Sequence, residues 1–286
     1  MSDATVSSAI EAKIDLVPVR KPGAASRVAF VALLARDLTV TRKNLREVVP
    51  RTLLQPLLLM FVFTYVFPKI GQGVGGVVGD ATGSFSTLLV AGVVALAIIF
   101  QGIQSVALPM VQEFGYTREI EDRVLAPLPV SLVAVEKIVA GAIISFFSAL
   151  LVFPIAAIVP ATPVNLEIDW PVLITLMPLA CVMAGALGLF FGTRFEPRNV
   201  PILFGVVVLP LTFLGAIYYS WAALEPIRWL QLLVLVNPLV YMSEGFRAAL
   251  TPAPHMSLWA IYGALTGFTI LFTWLGIRGF EQRVVS

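Results

Sequence analysis

The chain has 286 residues, 58% of them hydrophobic and 13% charged, with a mean hydropathy of +0.93. An ordinary soluble domain carries about 25% charged residues, so this chain has too few to coat a water-exposed surface, and a soluble enzyme is excluded. The net charge of +2 does not suggest nucleic acid as a partner, and the single cysteine, Cys181, excludes an intrachain disulfide and a cysteine-based metal site.

Residues 1–26 are polar and rich in Ser and Ala, with no apolar core ahead of a small-residue cleavage site; a cytoplasmic tail and no signal peptide are expected. In residues 27–49, Val31, Leu34, Leu38, Leu45 and Val48 recur at spacings of three, four and seven, which puts them on one face of a helix. Arg36, Lys43 and Glu47 fall elsewhere on it, so the pattern predicts a basic amphipathic helix on the inner leaflet.

A hydrocarbon layer about 30 Å thick needs roughly 20 apolar residues in helix. Charge-free windows of that kind lie at about 52–68, 85–111, 138–161, 170–193 and 257–277, with a sixth at about 200–223. None contains Asp, Glu, Lys, Arg or His, whereas carriers coupled to protons or ions usually hold an ionisable group at mid-membrane.

Between the first two windows, residues 71–79 are glycine-rich and superficially like a phosphate-binding loop. Such a loop needs Gly followed by Lys at the opening of a helix, and the chain has no Gly-Lys pair, so a flexible linker is expected. The loop 112–131 between the second and third windows carries Glu113, Glu119, Glu121 and Asp122 with Arg118 and Arg123, and ends in Pro127 and Pro129. A short mixed-charge helix closed by prolines offers a soluble partner a surface of complementary charge.

Before the last window the apolar run Trp229–Ser243 would reach only about 22 Å as a helix, too short to cross. Residues 224–250 are therefore expected to dip into the outer leaflet and return, or to pack on the outer surface. Arg194 and Arg198 precede the sixth window and Arg278 and Arg283 end the chain, so two crossings between them keep both places on one side. With six spans, only Lys69, Arg228 and Arg247 of the 19 basic residues fall outside, which places both termini in the cytoplasm and the protein in the plasma (inner) membrane.

Within this layout Phe61, Phe63, Tyr65 and Phe67 on the first span and Tyr218, Tyr219 and Trp221 near the outer end of the fifth are candidates for a cargo path, with headgroup-level anchoring the stronger reading, above all for Tyr218, Tyr219 and Trp221. Glu244 and Arg247 share a helix face at i and i+3, as a structural pair would. His255 has no cysteine or acidic cluster around it, so neither a metal site nor an acid–base centre is expected.

The order of these pieces resembles the permease subunits of type-2 ABC exporters, which include drug, nodulation-factor and polysaccharide export permeases. The most specific stretch is Leu209-Pro210-Leu211-Thr212-Phe213-Leu214-Gly215, then Trp229-Leu230-Gln231, then Asn237-Pro238-Leu239-Val240-Tyr241 and Arg247. The second is Glu113, Gly115, Thr117 and Glu121 with Pro127, Ser131 and Lys137, similar to the family's cytoplasmic coupling helix. Leu214-Gly215 and Tyr219-Ser220 stand where the family often has Ser-Gly and Phe-Pro pairs.

The resemblance implies an all-α membrane domain of six spans (residues 50–286), an amino-terminal interface helix, and short re-entrant helices before the last span that include Asn237, Pro238, Tyr241, Glu244 and Arg247. It implies a second permease copy, identical or paralogous, surrounding membrane lipids, and two ABC ATPase subunits. Those subunits bind ATP and Mg, and this chain carries no cofactor or metal of its own. Glu113, Gly115, Thr117, Arg118, Glu121 and Arg123 are the expected coupling residues, and the expected cargo is a drug, lipid or lipid-linked glycan. A polytopic enzyme acting on lipid-linked substrates would need clustered acids, whereas Asp80, Glu167, Asp169 and Glu225 are scattered over different loops. An ion-coupled carrier is disfavoured by the uncharged spans.

Overall fold

The computed structural model describes residues 22–70, 81–117, 128–160, 164 and 166–285. Every regular element among the described residues is helical. Helix α1 is Pro22–Lys43; α2 is Leu45–Met60 and continues through a π-helical turn, Phe61–Val66. Next come α3, Ala81–Gln112, ending in a π turn Glu113–Thr117, α4, Val130–Ile158, and α5, Trp170–Arg194. Helix α6, Pro197–Phe213, is followed by α7, Arg228–Leu233, α8, Pro238–Leu250, and α9, Leu258–Val285.

Among the described residues, five helices are long and apolar enough to cross a membrane: Leu45–Val66, Phe85–Gly115, Val130–Ala156, Trp170–Arg194 and Leu258–Val284. The apolar window of α3 is 89% buried and that of α5 is 72% buried, while those of α2 and α9 are 18% and 17% buried. The bundle is thus built around α3 and α5, and α2 and α9 present most of their apolar surface outward, as lipid- or partner-facing helices do.

Small residues set how closely the inner helices approach, as expected where no hydrophobic drive separates protein from lipid. A Cβ on Gly188 of α5 would collide with the Gly102 carbonyl oxygen of α3, and one on Gly185 would sit 2.6 Å from the Ile138 carbonyl oxygen of α4. Helix α5 starts cleanly because the Asp169 side chain accepts from the Val172 N–H at 3.2 Å, with Pro171 in the first turn.

Three expectations are corrected. The amphipathic stretch 27–49 is not one helix: α1 stops at Lys43, and Asn44 (φ −97°, ψ 15°) lets α2 begin at Leu45, so Leu45 and Val48 belong to the first span. The inward face of α1 is carried by Ala29, Phe30 and Leu33, while Val31 is 61% exposed. This rotation follows from Asp37, which is drawn inward by an ion pair described below.

The third correction concerns residues 200–223. Helix α6 ends at Phe213; its length gives about 25 Å of rise. The chain then turns through Leu214–Ser220, with Ala216 in the left-handed region at φ 54°. Beyond it the run Trp229–Ser243 is two helices rather than one, because Asn237 and Pro238 end the first and open the second. Helix α8 is buried among α3, α5 and α9.

Candidate functional site

Two polar clusters sit at opposite ends of the bundle. At one end Lys137, in the second turn of α4, places its ammonium 2.9 Å from the Asp37 carboxylate of α1 and 2.9 Å from the Glu113 carboxylate at the end of α3. The three side chains are 5%, 16% and 9% exposed. In so dry a setting the pairing is strong, and removing the Lys137 ammonium takes an ion-pair partner from both carboxylates.

The same end is closed by tight packing. A Cβ on Gly115 would meet the Pro197 ring at the start of α6. Arg283, in the last turn of α9, donates to the Gly192 and Phe195 carbonyls at 3.4 and 3.3 Å and lies over the Phe114 ring at 5.3 Å. The π turn Glu113–Thr117 is thereby held by α1, α4, α6 and α9 together.

At the other end Arg247 and Glu244 of α8 form a buried ion pair, 0% and 1% exposed. Arg247 Nη2 also donates to the carbonyls of Ala216 and Tyr219 at 3.0 and 3.2 Å, which holds the left-handed turn after α6. Glu244 accepts from the Trp221 N–H at 2.7 Å and from the Met256 N–H, just before α9, at 2.8 Å. One i,i+3 pair thus ties four segments.

The neighbouring polar groups extend this knot. Asn237 caps α8 by accepting from the Leu239 N–H at 2.9 Å and donates to the Leu211 carbonyl of α6 at 2.7 Å. Pro238 occupies the first turn of α8, and Tyr241 donates its hydroxyl to the Leu235 carbonyl at 3.0 Å. The Trp221 indole donates to the Gln231 carbonyl at 3.0 Å, and Gln231 returns a bond to the Trp221 carbonyl at 3.3 Å.

Residues 28–251 match the family model described as the ABC-2 type transporter. The chain belongs to the ABC-2 type transporter family. It is 28% identical over 225 residues to the inner membrane transport permease YadH of Escherichia coli (strain K12), a match covering 78% of this chain and 84% of that relative. The same figures hold for YadH of Escherichia coli O157:H7 and of Shigella flexneri. The protein is accordingly a multi-pass inner-membrane permease of an ABC transporter, a transport subunit and not an enzyme.

In this permease Glu113 is 7% exposed and faces Lys137, a different setting from the open, partner-facing one expected for it. Thr117 ends the π turn, and Arg118, Glu121 and Arg123 lie outside the described residues, as does the glycine-rich loop 71–79. Asn237, Pro238, Tyr241, Glu244 and Arg247 are brought together in one knot.

The aromatic candidates are only partly assembled. Phe61 and Tyr65 stack at 5.2 Å between ring centroids, and Phe63 lies 5.3 Å from Tyr218, so α2 meets the turn after α6. Tyr219 instead donates its hydroxyl to the Phe213 carbonyl at 3.4 Å and gives its own carbonyl to Arg247. Phe63 and Tyr218 line an open apolar groove of about 640 Å³ with Leu54, Leu58, Val62 and Phe213. Sequence reasoning missed Asp37 and Met256; only Asp37 left a trace, as a lone acid among the basic residues of α1.

Proposed function

We propose that this permease is the membrane half of an exporter driven by two separate ABC ATPase subunits, and that it works with a second permease copy to move a hydrophobic or amphiphilic cargo outward. The observation carrying the coupling part is the buried Lys137 bridge, because it joins α1, the π turn after α3, and α4 into one body. A push on residues 112–131 from a closing ATPase is then passed to three helices at once rather than absorbed by a loose loop. ATP and Mg belong to the partner, and Glu113 serves as an internal tie while Arg118, Glu121 and Arg123 meet the ATPase by charge.

The Lys137 end faces the cytoplasm in this reading, supported by Arg194, Arg198, Arg278 and Arg283 at that end. Helix α6 counts as a sixth crossing: it starts where Pro197 meets Gly115 and its far end is held by Asn237 and Arg247. Helices α7 and α8 form the re-entrant outer closure. The groove between α2 and Phe213, with 50–59% exposure at Leu54, Leu58 and Phe213, fits a wall shared with the second copy and with apolar parts of cargo.

The test uses Lys137→Met in the assembled complex. Nucleotide-driven flux is expected to fall more than tenfold while the ATPase still co-purifies; unchanged flux would remove the bridge from coupling.

A further inference from the structure

A cavity of about 170 Å³ lies where α1 bends into α2, walled by α2, α3 and α4. Its polar lining is Thr41 and Asn44 at the bend, Thr52 on α2, and Gln101, Gln104 and Ser105 on α3. A smaller pocket sharing Thr52, Gln101 and Gln104 continues it toward Gln55 and Pro56. Among the described residues, neither is lined by a charged side chain. Twelve residues, about 18 Å of helix, separate Gln101 from Glu113, so the cavity reaches from the Lys137 end toward the middle of the bundle.

Two prolines add acceptors to this wall. Proline has no N–H, so Pro56 deprives the Thr52 carbonyl, and Pro109 the Ser105 carbonyl, of its i+4 donor. Thr52, Ser105 and Pro109 line the larger cavity and Pro56 the smaller. Gln101 is 7% exposed and accepts from the Thr52 hydroxyl at 2.8 Å through its amide oxygen, and Gln104 lines both pockets. In a hydrocarbon setting polar groups need partners, and whatever enters the cavity can supply them.

We infer that this cavity is a binding site for the uncharged, hydroxyl-bearing headgroup of an amphiphile that enters from the leaflet at the Lys137 end. The site offers both donors and acceptors, which suits hydroxyls that do both; its described lining holds neither the cation a phosphate needs nor the carboxylate an ammonium needs. The volume holds one ring-sized polar group, whereas a bare metal ion would leave most of it empty. The assignment rests on the exporter reading for the use made of the site, while binding itself needs no ATPase.

The test is photolabelling of the permease in phospholipid nanodiscs, with no ATPase present. Three dodecyl probes with a diazirine near the headgroup are compared: dodecyl β-glucoside, dodecyl phosphate and dodecyltrimethylammonium. The glucoside is expected to label peptides covering 41–52 and 101–109, and excess unlabelled glucoside to displace it. In Gln101→Leu/Gln104→Leu that labelling is expected to fall about tenfold, the loss expected for one or two hydrogen bonds, while Gln104→Asn retains most of it.

Equal labelling by a charged probe, unchanged labelling in the double variant, or failure of excess glucoside to compete on the wild type overturns the site. Displacement by potassium or sodium chloride but not by choline chloride overturns it in favour of a cation site. Complex formation with the ATPase, measured separately, tells whether the exporter reading fails as well.

Discussion

At the Arg247 end, a charged pair lies fully buried with both members engaged by backbone groups of three other segments; in the Gln101 cavity, neutral amides line open space. The contrast separates two uses of polarity in a membrane protein. A charge taken out of lipid and water is tolerable only when its partners are fixed, so it serves as a staple for irregular backbone. A neutral amide costs less to leave waiting, so it can be reserved for something that comes and goes.

The largest expected break is Arg247→Met. It strands Glu244 and frees the Ala216 and Tyr219 carbonyls, and is expected to destabilise the detergent-purified protein by about 3–5 kcal/mol, read as a lowered Tm. Adding Glu244→Leu to it is expected to restore part of that stability, because no uncompensated charge then remains.

Lys137→Met removes the cation that bridges Asp37 and Glu113 at the other end and is expected to cost about 3 kcal/mol in the same melt. Asn237→Ala removes the cap of α8 and the tie to Leu211, an expected loss of about 1–2 kcal/mol. Thr52→Val deletes one hydroxyl bonded to Gln101 beside a cavity that water can fill, and a loss of about 0.5–1 kcal/mol is expected. Should Thr52→Val cost as much as Asn237→Ala, the cavity wall would be a staple too, and the distinction between the two regions would fail.

The spans were legible because a bilayer imposes length and hydropathy on each crossing segment by itself, and five windows coincide with long helices. The Glu244–Arg247 pair was legible for a related reason, being local on one helix face. The end of α6 was not, because the turn that follows is held by a guanidinium 31 residues farther along the chain. Nor was the orientation of α1: periodicity favoured Val31, Leu34 and Leu38, but the ion pair 100 residues away rotates Asp37, and with it Phe30 and Leu33, toward the bundle.

The burial of Glu113 was not legible on the same ground. An acid in a mixed-charge loop reads as exposed until the position of Lys137 is known. The polar cavity escaped notice because Thr52, Gln101 and Ser105 are each unremarkable inside an apolar window and acquire meaning only when two helices bring them together.

The most direct measurement is co-expression of the permease with a candidate ABC ATPase, followed by reconstitution and comparison of flux with and without ATP. One ATPase is expected to bind at one copy per permease copy, and outward transport to require its hydrolysis. Full-rate transport by the permease alone would contradict the account.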